Sequence, residues 1–166
     1  MNLSDFFQRL SDSAIGTAIH ESPTLFPWIE STHVLMIVTV VGTIAIVDLR
    51  LIGYPAHRKG ARQLILDMLP FTWAAFACAV ITGGLLFTSQ AGMYWESTPF
   101  KCKMVALALA GINMAIFHLT AYRKIGDWDD RLPTPLGARI AGATSLCLWI
   151  TVIFFGRLIG FSAPFV

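Results

Sequence analysis

Six side chains in this sequence could carry chemistry, and all lie within or beside long apolar stretches: Glu30, His33, Asp48, Lys103, His118 and Arg157. A charged group at the centre of a bilayer costs about 3 kcal/mol or more, so ionisable residues in such stretches are functional candidates by default. An imidazole moves protons near neutral pH and is the usual axial ligand of b-type heme. A carboxyl takes up and releases protons. Lys and Arg hold anionic groups such as heme propionates.

Spacing sorts these residues into two layers. Glu30 and Asp48 stand 18 residues apart, close to five helical turns at about 3.6 residues each, and so share one face. His33 lies one turn from Glu30 near the same face. Levelling Arg50 with Arg123 puts Glu30, His33, Lys103 and Arg157 in an outer layer. His118 and Asp48 form an inner layer, with Asn113 one to two turns further in. The outer set suits heme propionates or the ring of a quinone; its structural alternative is a salt bridge from Glu30 to Lys103 or Arg157. The inner set suits a heme ligand or a proton relay. Its structural alternative is a neutral His118 bonded to a backbone carbonyl or to Asp48.

His33 and His118 are the two candidate metal ligands. The same alignment separates them by roughly 12 residues, or ~18 Å along the helix axis, too far to share one iron. The second ligand of each would be His20 for His33, His57 for His118, a residue from another protomer, or none. Cys78, Cys102 and Cys147 form no CxxC pair, which argues against a disulfide framework or a zinc site. No P-loop, GxGxxG or HExxH motif is present.

Four apolar segments must position these groups, at about 25–53, 66–89, 100–122 and 138–161. Each exceeds the ~20 residues that cross a ~30 Å hydrocarbon core. Only 13% of the 166 residues are charged and 55% are hydrophobic, against about 25% charged in a soluble domain. Hydrocarbon offers the backbone no hydrogen-bond partners, so helices are the expected solution. The fold expected is all-α: an integral membrane four-helix bundle over 24–166. Ahead of it, 1–23 holds a short amphipathic interfacial helix over 3–18, with Leu3, Phe6, Phe7, Leu10 and Ile15 near one face. Packing of that helix at the mouth of the bundle is the equal alternative. The N-terminal stretch lacks the apolar core of a signal peptide.

The first loop carries His57, Arg58, Lys59 and Arg62, and the third carries Arg123, Lys124 and Arg131. The positive-inside rule places both in the cytoplasm and both termini on the periplasmic side of a bacterial inner membrane. Trp28, Tyr94 and Trp95 suit an outer aromatic belt, and Tyr54, Tyr122 and Trp128 an inner one. Net charge is only +2, with no basic run for nucleic acid.

The stretches LFPWIESTHVLMIV, VDLRLIG, FKCKMVALALAGIN with FH following, and FFGRLIGF resemble an uncharacterised family of small bacterial four-helix inner-membrane proteins. The likeness runs from SDFFQRL to GRLIGF. At matched positions the family pattern includes His33, Asp48, Arg50, Lys103, Asn113, His118, Gly156 and Arg157. It implies the four-helix fold and no particular activity. A looser similarity joins these proteins to copper-resistance and cytochrome b561-type membrane proteins, which bind heme through paired histidines at matching depth. This sequence departs there, because His33 and His118 lie at different depths.

The expected function is a small membrane redox or cofactor-binding subunit that binds heme b or a quinone and works with a partner redox protein. Glu30, His33, Lys103, His118 and Arg157 are its expected cofactor-binding residues. One alternative is an oligomeric transporter or channel with a path through Asp48 and His118. Another is a non-catalytic anchor or assembly subunit.

Overall fold

A computed structural model describes residues 3–54, 60–129 and 133–162. His57, Arg58, Lys59 and Arg131 lie outside these described residues. Among them every regular element is helical. Four long helices dominate: α3 (Leu25–Ile52), α4 (Ala61–Ser89), α6 (Thr98–Leu119) and α8 (Leu136–Ser162). Short helices fill the ends: α1 (Leu3–Ser11), α2 (Ala14–Glu21), α5 (Ala91–Glu96) and α7 (Ile125–Trp128).

All four long helices have the length and apolarity to span a membrane. The outward faces carry large apolar side chains such as Phe71, Ile81 and Ile150, which only lipid can cover without cost. The chain is thus a multi-pass membrane protein. An even number of spans leaves both termini at one end, here called the terminal end. Arg50, Arg62, Arg123, Lys124 and Arg139 mark the opposite, basic end.

The helix boundaries have local causes. Ser22 Oγ accepts the Leu25 N–H at 3.1 Å at the start of α3. Gly53 ends α3 with φ 103°, a left-handed conformation that favours glycine. Ser97 caps α6, accepting the Phe100 N–H, with Pro99 in the first turn. α4 begins five residues before the expected 66, because Asp129 reaches back across 68 residues. Its carboxylate accepts the N–H groups of both Ala61 and Arg62. Those donors have no partner inside the helix, and the negative charge suits the positive end of the helix dipole.

The expected helix over 3–18 is two helices. Ser13 adopts an extended conformation (φ −66°, ψ 156°) and its side chain accepts the Gly16 N–H, so the local cap defeats continuation. Both pieces pack on the terminal end, with Phe7 stacked on Trp95 at 4.5 Å. Gly16 makes this possible: a Cβ there would stand 2.9 Å from the Thr88 carbonyl oxygen.

α3 packs against α4 and α8, and α8 against α6. α8 crosses α3 closely at Gly142, whose missing Cβ would meet the Asp48 carbonyl oxygen at 2.9 Å. Small residues admit such approach where lipid gives no hydrophobic drive. Two apolar cores result. One, at the basic end, includes Leu51, Ile65, Phe117 and Trp128. The other, nearer mid-span, includes Val40, Ala75, Ala106 and Trp149. Trp128 is therefore a core residue, 5% exposed, rather than part of an interfacial belt. Cys78 and Cys147 face outward.

Candidate functional site

The terminal-end layer centres on His33. Thr82 Oγ1 lies 3.0 Å from His33 Nδ1 and 2.7 Å from the Cys78 carbonyl oxygen. A hydroxyl has one hydrogen, and the carbonyl can only accept it. Nδ1–H then donates to Thr82, and Nε2 keeps the lone pair. The ring fits a notch made by Gly83, where a Cβ would stand 2.9 Å from His33 Cε1. Lys103 lies near enough to act on His33 electrostatically, with its ammonium end against Gly156.

The remaining members of this layer stand apart. Glu30 is exposed, and among the described residues it forms no ion pair with Lys103 or Arg157. Arg157 lies over the Phe161 ring, 5.4 Å from its centroid. Tyr94 of α5 is the phenol closest in effect to Glu30. Burial first, and the Glu30 charge second, hold Tyr94 above the usual phenol range. His20 is not brought to His33; its Nδ1 accepts from Gln90 Nε2 at 3.2 Å, tying α2 to the end of α4.

The layer at the basic end is more enclosed. Asp48 is 5% exposed. Ser145 hydrogen-bonds its carboxyl, yet Oδ2 is buried with no partner. Asn113 Nδ2 donates to the Ala141 carbonyl oxygen at 3.0 Å, joining α6 to α8. His118 Nδ1 lies 2.9 Å from the Met114 carbonyl oxygen. That oxygen only accepts, so Nδ1 carries the hydrogen and Nε2 the lone pair of the neutral ring. His118 thus bonds a backbone carbonyl and not Asp48. Its ring lies 5.1 Å from that of Tyr122, centroid to centroid.

Between these groups is a cavity of about 200 Å³ with walls from all four long helices. Asp48, Asn113, His118 and Ser145 give it polar points, and Trp73, Phe76 and Trp149 give it aromatic walls. Thr72 Oγ1 meets Thr43 Oγ1 at 2.8 Å on its α3–α4 side. A mostly apolar chamber with a few convergent polar groups is the usual form of a small-ligand site.

His33 and His118 are at opposite ends of the bundle, as the residue count expects. Among the described residues no three His, Cys, Asp or Glu side chains gather closely enough to hold a metal ion. Ser145, Trp73 and Trp149 were not among the residues singled out from sequence. The available signal was Gly142: a small residue marks the face of α8 that meets α3, and Ser145 is one turn along it. No protein-family model, curated protein or solved structure matches the chain.

Proposed function

We propose that this protein is a small membrane redox subunit that binds a quinone head group in the cavity beside Asp48. The observation that carries this reading is Asp48, which lines an aromatic chamber and keeps a buried oxygen, Oδ2, without a hydrogen-bond partner. Leaving such an atom unsatisfied costs about 1–3 kcal/mol, so an orphan in a cavity asks for a ligand. The volume is below the ~300–1,000 Å³ typical of drug-sized ligands, which suits one substituted ring with its tail outside.

A bound quinone would accept two electrons and two protons, the electrons coming from a partner redox protein with its own one-electron centre. The residues of this chain bind and orient. Asp48, in its protonated form and steadied by Ser145, would donate to one oxygen of the ring. His118, with Nδ1 committed to Met114, would take up a proton at Nε2 and deliver it to the other. Asn113 fixes the spacing of α6 and α8 around them. The basic end would face the cytoplasm of a bacterial inner membrane and both termini the periplasm, following the Lys and Arg bias. The likeness to small bacterial four-helix membrane proteins belongs to the same proposal.

Heme b is the second reading, favoured by one observation: both His33 and His118 have Nδ1 committed as donor, so that in the neutral ring Nε2 carries the lone pair an axial ligand needs. Their separation would require two groups or another protomer.

One purified sample tests both. Solvent extraction of the protein should yield bound quinone, and decylubiquinone in nanodiscs should quench its tryptophan fluorescence. Asp48→Ala should weaken that quenching at least tenfold. Absence of extracted quinone together with absence of quenching would refute the quinone reading. A b-type band in the reduced-minus-oxidised spectrum would favour heme. Ion flux in liposomes that depends on Asp48 would favour the transporter, and co-purification of an enzyme complex with neither cofactor would favour the anchor.

A further inference from the structure

We infer that the ligand reaches this cavity sideways from the hydrocarbon layer, through a gap between α4 and α6, and that it carries a single apolar tail that leaves by the same gap. The inference rests on the quinone reading and specifies how such a ligand is held.

The arrangement of helices leaves one side open. α3 packs closely on α4 and α8, and α8 on α6, whereas the backbones of α4 and α6 do not pack together. The cavity nevertheless has walls from both. Along the axis the chamber lies between buried apolar clusters, with Leu51, Ile65, Phe117 and Trp128 toward the basic end and Val40, Ala75, Ala106 and Trp149 toward the other.

Side chains at the gap face outward while lining the chamber. Trp73 is 52% exposed and Met114 43% exposed, and both lie on the cavity wall. They come from α4 and α6 respectively. Gly111 of α6 lies beside them, also exposed and also on the wall. A Cβ at Gly111 would meet nothing within 4 Å, so the space in front of it is empty. Outside this opening, the surroundings are lipid. A molecule using this route must dissolve in the hydrocarbon, and a chamber of about 200 Å³ leaves a long tail no place but the opening. A flexible thioether such as Met114 adapts to a passing chain.

The test uses the purified full chain in phosphatidylcholine nanodiscs and two probes, decylubiquinone and the tail-less ubiquinone-0. Binding is read by tryptophan quenching. Gly111→Phe should weaken decylubiquinone at least tenfold and leave ubiquinone-0 within threefold of wild type. Gly84→Phe, at an exposed helical glycine that does not line the cavity, should change neither. Gly111→Leu should weaken decylubiquinone in the same direction and serves if the larger ring prevents folding. Decylubiquinone binding unaffected by both substitutions at Gly111 would overturn the lateral route. Equal loss of both probes would put the new side chain in the head-group chamber and would overturn it too. Wild-type binding of ubiquinone-0 alone would overturn the tail while sparing the quinone reading. Binding of neither probe by wild type would remove both.

Discussion

Gly142 brings the backbone of α8 against that of α3 at Asp48, so closely that a Cβ would stand 2.9 Å from the Asp48 carbonyl oxygen. The contact holds the one buried carboxyl of the described residues beside Ser145, one turn further along α8. Gly142→Val should cost about 1–3 kcal/mol through overpacking against backbone that cannot yield. Gly160→Val, with nothing within 4 Å of its Cβ position, should cost far less. Thermal unfolding in a mild detergent separates the two.

Asp48→Leu should raise stability while abolishing ligand binding. The substitution removes an oxygen without a partner, worth about 1–3 kcal/mol, and fills part of the cavity. Ser145 can turn its hydroxyl to a carbonyl of its own helix. A higher unfolding temperature with lost quinone quenching is the expected pair of results. A lower temperature would show that Oδ2 is satisfied in the membrane by something the protein holds.

Gly83→Ala should push the His33 ring from its notch, since the new methyl would lie 2.9 Å from Cε1. The 3.0 Å bond to Thr82 would lengthen or break, at about 1 kcal/mol. The ring nitrogen shifts of His33 should move in 15N NMR while those of His118, at the other end of the bundle, stay in place.

Tyr94 gives a pH signature. Burial and the Glu30 carboxylate both favour its neutral form, so its phenolate should appear at higher pH than that of a free tyrosine. Removing a negative neighbour makes a phenol easier to ionise. Glu30→Gln should therefore shift the Tyr94 transition to lower pH without reaching that of a free tyrosine, as burial remains. Absorbance near 295 nm, with Tyr94→Phe as the reference, follows both.

Depth was legible in the sequence, and rotation about the helix axis was not. Counting residues along apolar runs set the four spans and put Asp48 and His118 at one level, with His33 far away. Arg157 was assigned correctly to the terminal end, but it lies over Phe161 on an exposed face rather than with Glu30 or Lys103. Each helix is apolar around most of its circumference, so no periodic stripe tells the lipid side from the packed side. That is also why Ser145 and Trp149 escaped notice. Asp129 shows a second limit: its role as the α4 cap depends on the path of a distant loop. Ser13, by contrast, was an ordinary capping residue whose local signal was available and outweighed by the amphipathic pattern around it.

The reach of Asp129 to Ala61 and Arg62 also bears on biogenesis. The start of α4 would stand with bare amides from the synthesis of Ala61 until Asp129 follows 68 residues later. Only when α6 and the turn after it arrive does α4 acquire its N-terminal cap. The two halves are therefore expected to mature as one cooperative unit, and a translocon partner or lipid phosphate is the natural placeholder in the interval.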